Sequence, residues 1–254
     1  MPTRRLPRVL PWILPALVFL ACAKGPPSGG AGTYVGVVAN TKEIGLMEVT
    51  VGDSAKGPLP ATGTVKFPGR IVTLTGTLDE SKTQLQLSSS LGHTMVAESR
   101  PDYALGHYKN VHDDEDQGAF ALLLQTAETP VESFCGSHSN TSTDEEFPHP
   151  LAITASPGGQ AICVGPNFTW LGSLGTDNVL RCVSSGGGMF EGDVNGTGNP
   201  WGTSDYTGTW AVTPCASDGA NGDGGVSDGT AGDTTAPDAA LDAAVPLDSD
   251  APVQ

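Results

Sequence analysis

The chain has 254 residues and carries 28 acidic against 12 basic side chains, a formal net charge of −16. Phosphate-backbone binding needs a basic footprint, so nucleic acid is not an expected partner. Between two compositionally distinct ends lie roughly 180 residues, enough to bury a sizeable core on the usual domain scale.

At the amino terminus Arg4, Arg5 and Arg8 precede an apolar run over residues 9–21, with no acid before it. The run is too short to span a bilayer, and Pro11 and Pro15 oppose a stable helix, so residues 1–21 read as a secretory signal. The run ends Phe19-Leu20-Ala21-Cys22. This stretch resembles the lipobox of bacterial lipoproteins. The resemblance implies cleavage before Cys22, a diacylglycerol on its thiol and a further acyl chain on the new amino terminus, and two or more chains hold durably to a membrane. Ala23 after the cysteine implies the outer membrane, and Gly/Pro/Ser-rich residues 22–32 would link anchor to body. The expected location is therefore exported, at the outer membrane or cell surface. Lys24 alone stands near the anchor, so no polybasic membrane contact is expected.

The body reads as short strands. Candidate strands cover residues 34–39, 46–51 and 63–67. Over residues 71–78 Val72, Leu74 and Leu78 alternate with threonines, and after a polar turn Leu85 and Leu87 alternate with glutamines, the pattern of a hairpin. The acidic run Asp113 to Asp116, with His107 and His112 beside it, is expected to be a solvated loop, although imidazole and carboxylate together could bind a metal or move protons. Residues 119–128 (AFALLLQTAE) have helix-favouring composition but also fit a strand ended by Pro130.

A hundred positions on, Tyr34-Val-Gly36-Val-Val-Ala-Asn40 returns as Phe134-Cys-Gly136-Ser-His-Ser-Asn140, and Gly118-Ala-Phe120 returns as Gly208-Thr-Trp210. Further candidate strands cover 151–155, 179–183 and 207–212. The expected fold is all-β, an antiparallel meander barrel or sandwich spanning 33–215. Its pattern allows two related halves, 33–129 and 130–215, lying side by side or closing one larger barrel; glycine-rich hairpins also resemble one another without common origin.

With Cys22 assigned to lipid, Cys135, Cys163, Cys182 and Cys215 remain, an even set suited to disulfides outside the cytoplasm. No CxxC pair supports a metal site. Of three connectivities, Cys135 with Cys215 and Cys163 with Cys182 is favoured, the first opening and closing the second half, the others flanking an internal hairpin.

Motifs for nucleophilic, zinc-dependent, phosphate or dinucleotide chemistry are missing from the sequence, and no enzyme activity or cofactor is expected. His138 and His149 flank a second acidic stretch, Asp144-Glu145-Glu146, again expected as surface loop. Asp193-Val-Asn195-Gly-Thr197 has oxygen donors at alternate positions but lacks the closing glutamate of a calcium loop, so a turn is expected. Gly208-Thr209-Trp210 resembles the glycine–tryptophan strand of lipocalin- and avidin-like barrels, which implies a ligand pocket that Trp170, Trp201 and Trp210 could line.

Residues 216–254 contain no aromatic and no basic residue, and eight aspartates space them. Such a segment cannot bury enough apolar surface to offset its ordering entropy, so a disordered acidic tail is expected. Removing three signal arginines leaves −19, of which the tail carries −8. The functional expectation is a lipid-anchored, non-enzymatic binding or surface-interaction module whose partner is a protein, glycan or small ligand, with a carrier barrel or a secreted hydrolase as alternatives. The sequence does not identify a ligand-binding residue set.

Overall fold

The computed structural model describes residues 29–141, 148–203 and 207–216. The signal-like segment with Cys22, the acidic stretch Asp144-Glu145-Glu146 and the aspartate-rich tail lie outside the described residues. Among the described residues there is no helix, and sixteen strands form two closed antiparallel barrels of eight strands each. The first barrel runs β1 (Gly32–Asn40), β2 (Ile44–Val51), β3 (Leu59–Phe67), β4 (Arg70–Leu78), β5 (Gln84–Ser88), β6 (His93–Ser99), β7 (Tyr103–Asn110) and β8 (Asp113–Gln125). The second runs β9 (Glu132–Asn140), β10 (His149–Ala155), β11 (Gln160–Gly165), β12 (Phe168–Leu174), β13 (Val179–Val183), β14 (Met189–Asp193), β15 (Asn199–Gly202) and β16 (Thr207–Pro214). Each is a meander closed by pairing its first and last strands, β1 with β8 and β9 with β16. The halves therefore form two separate barrels, not one larger barrel or a sandwich.

Alternation explains most of the walls. In β4 Val72, Leu74 and Leu78 point into the core while the threonines face out, and β5 does the same with Leu85 and Leu87. The continuous apolar run in β8 has a different cause. Phe120, Leu122 and Leu124 pack inside the first barrel, while Ala119, Ala121 and Leu123 join Val37 and Ala39 on its outside, against Ala152, Ile162 and Val164 of the second. A strand buried on both faces loses its alternation, which is why its sequence is as compatible with a helix as with a strand. The acidic run Asp113 to Asp116 begins this strand and is not a loop between strands.

The two barrels are related halves. Gly36 and Gly136 sit opposite Leu122 and Val212, and at each the backbone bends so close to the neighbouring strand that a Cβ would meet a carbonyl, Ala121 O at 1.9 Å and Ala211 O at 2.1 Å. A tight barrel corner of this kind accepts only glycine. The agreement continues around the wall. Starting at Ala61, neighbouring strands place Gly76, Leu87, Met95, Tyr108, Gly118 and Asn40 side by side. Starting at Ala161, the same walk meets Gly172, Cys182, Phe190, Trp201, Gly208 and Asn140. The alanine, both kink glycines and the asparagine recur in place.

Disulfides occur only in the second barrel among the described residues. Cys135 is bonded to Cys215 across 80 positions, clamping its first strand to the end of its last. Cys163 is bonded to Cys182 inside the barrel, bridging β11 and β13 across β12. Gly172, inward on β12 and paired with Cys182, contributes no side chain there.

Candidate functional site

Both barrels present the corresponding end, formed by the close of β1 or β9 and the start of the strand that follows, and the two ends differ in chemistry. At the first, β8 extends its inward alternation from Phe120 through Gly118 to Asp116, whose side chain is 7% exposed. Five side chains converge on this carboxylate. Tyr108 donates its hydroxyl to Oδ1 at 3.0 Å, His93 Nε2 lies 3.0 Å from Oδ2, and Asn110 donates to Oδ2 at 3.3 Å. Arg70 donates to Oδ2 at 3.3 Å and Asn40 to Oδ1 at 3.4 Å. Asn40 also donates to the Tyr108 hydroxyl at 2.9 Å, while its own oxygen accepts from the backbone of Lys42 and Glu43. Arg70 lies over the Phe67 ring at 4.4 Å and pairs with Glu43.

Burial alone would raise the Asp116 carboxyl, but hydrogen bonds from Asn110, His93 and Tyr108 and the Arg70 charge outweigh it and hold the group below its ordinary value. Burial, and then the Asp116 charge, push the Tyr108 hydroxyl upward. A shallow cleft of about 330 Å³ opens over the cluster between Lys42, Glu43 and Asp113. Chemically the cluster is committed to itself. His93 is 2% exposed, and its other nitrogen lies 3.0 Å from Ser89 Oγ, which in turn accepts from the backbone of Leu91 and His93. An imidazole held on both nitrogens and a carboxylate held by five side chains form a plug at the barrel end.

The sequence candidates here divide. Asp113, Asp114 and Glu115 are exposed as expected, and so are His107 and His112. Asp116 instead turns inward and meets His93, a residue the sequence offers no reason to choose. Extending the alternation backward from Phe120 is the signal that places Asp116 inside.

At the corresponding end of the second barrel the polar plug is replaced by rings. His138 stands where the first barrel has Val38, and its cross-strand partner His149 stands where Gly45 is. Continuing by register, Phe168 replaces Val72, Trp170 replaces Leu74, Phe190 replaces Met95, Trp201 replaces Tyr108 and Trp210 replaces Phe120. These rings touch. Phe190 lies 4.9 Å from Trp170, 5.6 Å from Trp201 and 5.9 Å from Phe168, measured between ring centroids. His138 meets Trp201 edge-on at 5.0 Å and lies 5.4 Å from His149.

Phe190 and Trp210 are fully buried, whereas Phe168, Trp170 and Trp201 are half-buried at the opening. Each of those three lies over a glycine. A Cβ would reach Phe168 at 2.2 Å from Gly165, Trp170 at 2.7 Å from Gly188 and Trp201 at 2.2 Å from Gly208. Gly188, two residues before Phe190, takes the place that His93 holds two residues before Met95. Backbone carbonyls fix two of the indoles, with Trp201 Nε1 donating to Ser139 O at 2.7 Å and Trp210 Nε1 to Pro200 O at 3.0 Å.

The three tryptophans singled out by sequence are thus brought together, with His138, His149, Phe168 and Phe190 added to them. Asp193 and Asn195 form a turn in which the Asp193 carbonyl accepts from Gly196 and from Asn199 Nδ2. Among the described residues no group of three or more metal-ligating side chains forms. A further groove of about 550 Å³ runs between the barrels beside Cys215, with Val35, Leu46 and Val131 on its walls and Glu48 and Lys66 on its rim. Thr64 and Ser133 also line it. No protein-family model matches this chain, no curated protein matches its sequence, and no solved structure matches its fold.

Proposed function

We propose that this is an exported, lipid-anchored, non-catalytic binding protein whose recognition site is the aromatic mouth of the second barrel, with the first barrel as its scaffold. One observation carries the reading. At matched positions of two related halves, the polar plug and apolar layer of the first barrel are replaced in the second by aromatic rings, three of them only partly buried and each close to a glycine. Rigid aromatic side chains left partly open are costly to solvate and characteristic of recognition surfaces.

Two disulfides support an oxidising compartment, and the Phe19–Cys22 motif supports the anchor. Asp116 lines the cleft above it, but its carboxylate is already bonded by five side chains and His93 is buried with both nitrogens held, which argues against acid–base chemistry there. Side chains fill the described interior of each barrel, which argues against a carrier of enclosed ligands.

The test has two parts. Cys22→Ala should move the protein from the membrane to the soluble fraction, and continued retention would remove the anchor. The mature chain is then screened against immobilised glycans, small molecules and extracellular proteins beside a Trp170→Ala/Trp201→Ala double variant. A ligand held by the native chain and lost by the folded variant supports the site, whereas binding that ignores both tryptophans places recognition elsewhere.

A further inference from the structure

We infer that the ligand of the second barrel's mouth is a neutral glycan, held by stacking of sugar rings on Trp170, Trp201 and Phe168; the inference rests on that mouth being the recognition site. Depth is the first argument. Directly beneath the opening, Phe190, Cys163 and Cys182 are 0% exposed and Trp210 is 1% exposed, so water finds no room under the rings. A wholly apolar ligand gains by enclosure, and most small-molecule sites bury the greater part of their ligand. A filled barrel offers no such chamber. The ligand that suits it lays one apolar face on the rings and keeps its polar edges in water, and a pyranose ring has that construction.

Charge is the second argument. From residue 126 to the end of the chain the only lysine or arginine is Arg181, and it is paired with Glu191 at 2.7 Å. Anionic sugars and phosphates would meet no lysine and no unpaired arginine in the second barrel, while a chain of formal net charge −16 repels them.

Preorganisation is the third. The Trp201 indole is tied by its N–H to Ser139 O, Trp201 and Phe168 stack on Phe190, and each of the three rings comes close to a glycine, so the rings are held in place before a ligand arrives. Binding then costs little ordering entropy. A protein partner would need about 800 Å² on each side. Three half-buried rings match a short oligosaccharide better.

The experiment uses the mature chain and short immobilised oligomers of glucose, mannose and N-acetylglucosamine, with a sulfated oligomer as the anionic comparison. The best neutral oligomer is then titrated by intrinsic fluorescence. Trp170, Trp201 and Trp210 all belong to the second barrel, and Trp12 precedes the expected cleavage point, so the signal reports on this barrel. The expected result is a saturable change with a neutral oligomer and none with the sulfated one. Trp170→Ala and Trp201→Ala should each weaken binding by at least about tenfold. Trp170→Phe and Trp201→Phe should retain most of it, and Val96→Thr on the first barrel should leave it unchanged. Failure of every neutral oligomer to bind, equal binding of the sulfated oligomer, or binding that survives both alanine variants overturns the glycan assignment. A protein or apolar compound held through the same tryptophans would also overturn it while leaving the recognition site standing. If no binding of any kind depends on those residues, both readings fall.

Discussion

The first barrel closes its end with a carboxylate that five side chains serve, and the second leaves its end to rings and fastens its wall with two disulfides. The walls differ accordingly. β6 and β7 run seven and eight residues and pair along seven positions, whereas β14 and β15 run five and four and pair at two. Shorter strands bury less and make fewer ladder hydrogen bonds, so covalent staples stabilise what the core does not. Two related halves thus end differently, one in a polar plug and the other in aromatic rings.

The comparison is most exposed at the staples. Replacing Cys135 and Cys215 by serine should destabilise the second barrel by about 4.5 kcal/mol on a loop-entropy estimate for their separation, and replacing Cys163 and Cys182 by about 3 kcal/mol. The barrels can be followed largely separately, because the described tryptophans lie in the second and three of the four tyrosines, Tyr34, Tyr103 and Tyr108, lie in the first. Tryptophan fluorescence should therefore melt first in both variants. Coincident loss of the tyrosine circular dichroism would show that the barrels unfold as one unit and that the staples serve both.

The next largest effect belongs to the plug. Asp116→Asn leaves His93, Arg70 and Tyr108 without their common charged acceptor, which should cost the first barrel about 3 kcal/mol. Acid provides the same test without mutation. Because the folded Asp116 carboxyl is held below its ordinary value, its contribution is fully present above the unfolded carboxylate range, about pH 4, and is lost as pH falls through the depressed value. The native tyrosine signal should loosen on that descent, and the Asp116→Asn signal should change less. A native signal unchanged across this range would mean that the cluster does not hold the barrel.

Smaller again are the two kinks. Gly36→Ala and Gly136→Ala each press a methyl against a carbonyl about 2 Å away, and each should cost roughly 2 kcal/mol in its own barrel. Equal costs are what common geometry requires; a tolerated change at only one would show that the two corners have diverged.

How far the sequence could be read follows from where its signals are local. The rhyme of Tyr34 to Asn40 with Phe134 to Asn140 marks the two closing strands because each match is contiguous. The alternation of β4 and β5 is legible for the same reason. β11, β12 and β14 are harder, since Gly165, Gly172 and Gly192 interrupt them and the half-buried residues of β12 follow no simple period, and β15 is only four residues long. The site is a matter of register. Trp170, Trp201 and Trp210 attract notice as residues, but only the walk around the wall sets them beside Phe190 and His138. His93 lies 23 positions from Asp116, and barrel closure alone joins them.

The gentlest test of the comparison reverses one substitution between the barrels. Gly188 holds the position of His93, and a Cβ there would lie 2.7 Å from the outer tip of the Trp170 ring and 3.0 Å from Ser184 Oγ and Thr203 Cγ2. Gly188 is buried, but ring and hydroxyl can give way, so Gly188→Ala should cost about 1 kcal/mol. It cannot leave Trp170 where it is. The expected outcome is an almost native melting midpoint with a displaced tryptophan emission maximum and weaker binding of whatever ligand the mouth accepts. An unmoved emission and unchanged binding would mean that the glycine seat does not set the Trp170 ring, whose place would then come from its packing on Phe168 and Phe190.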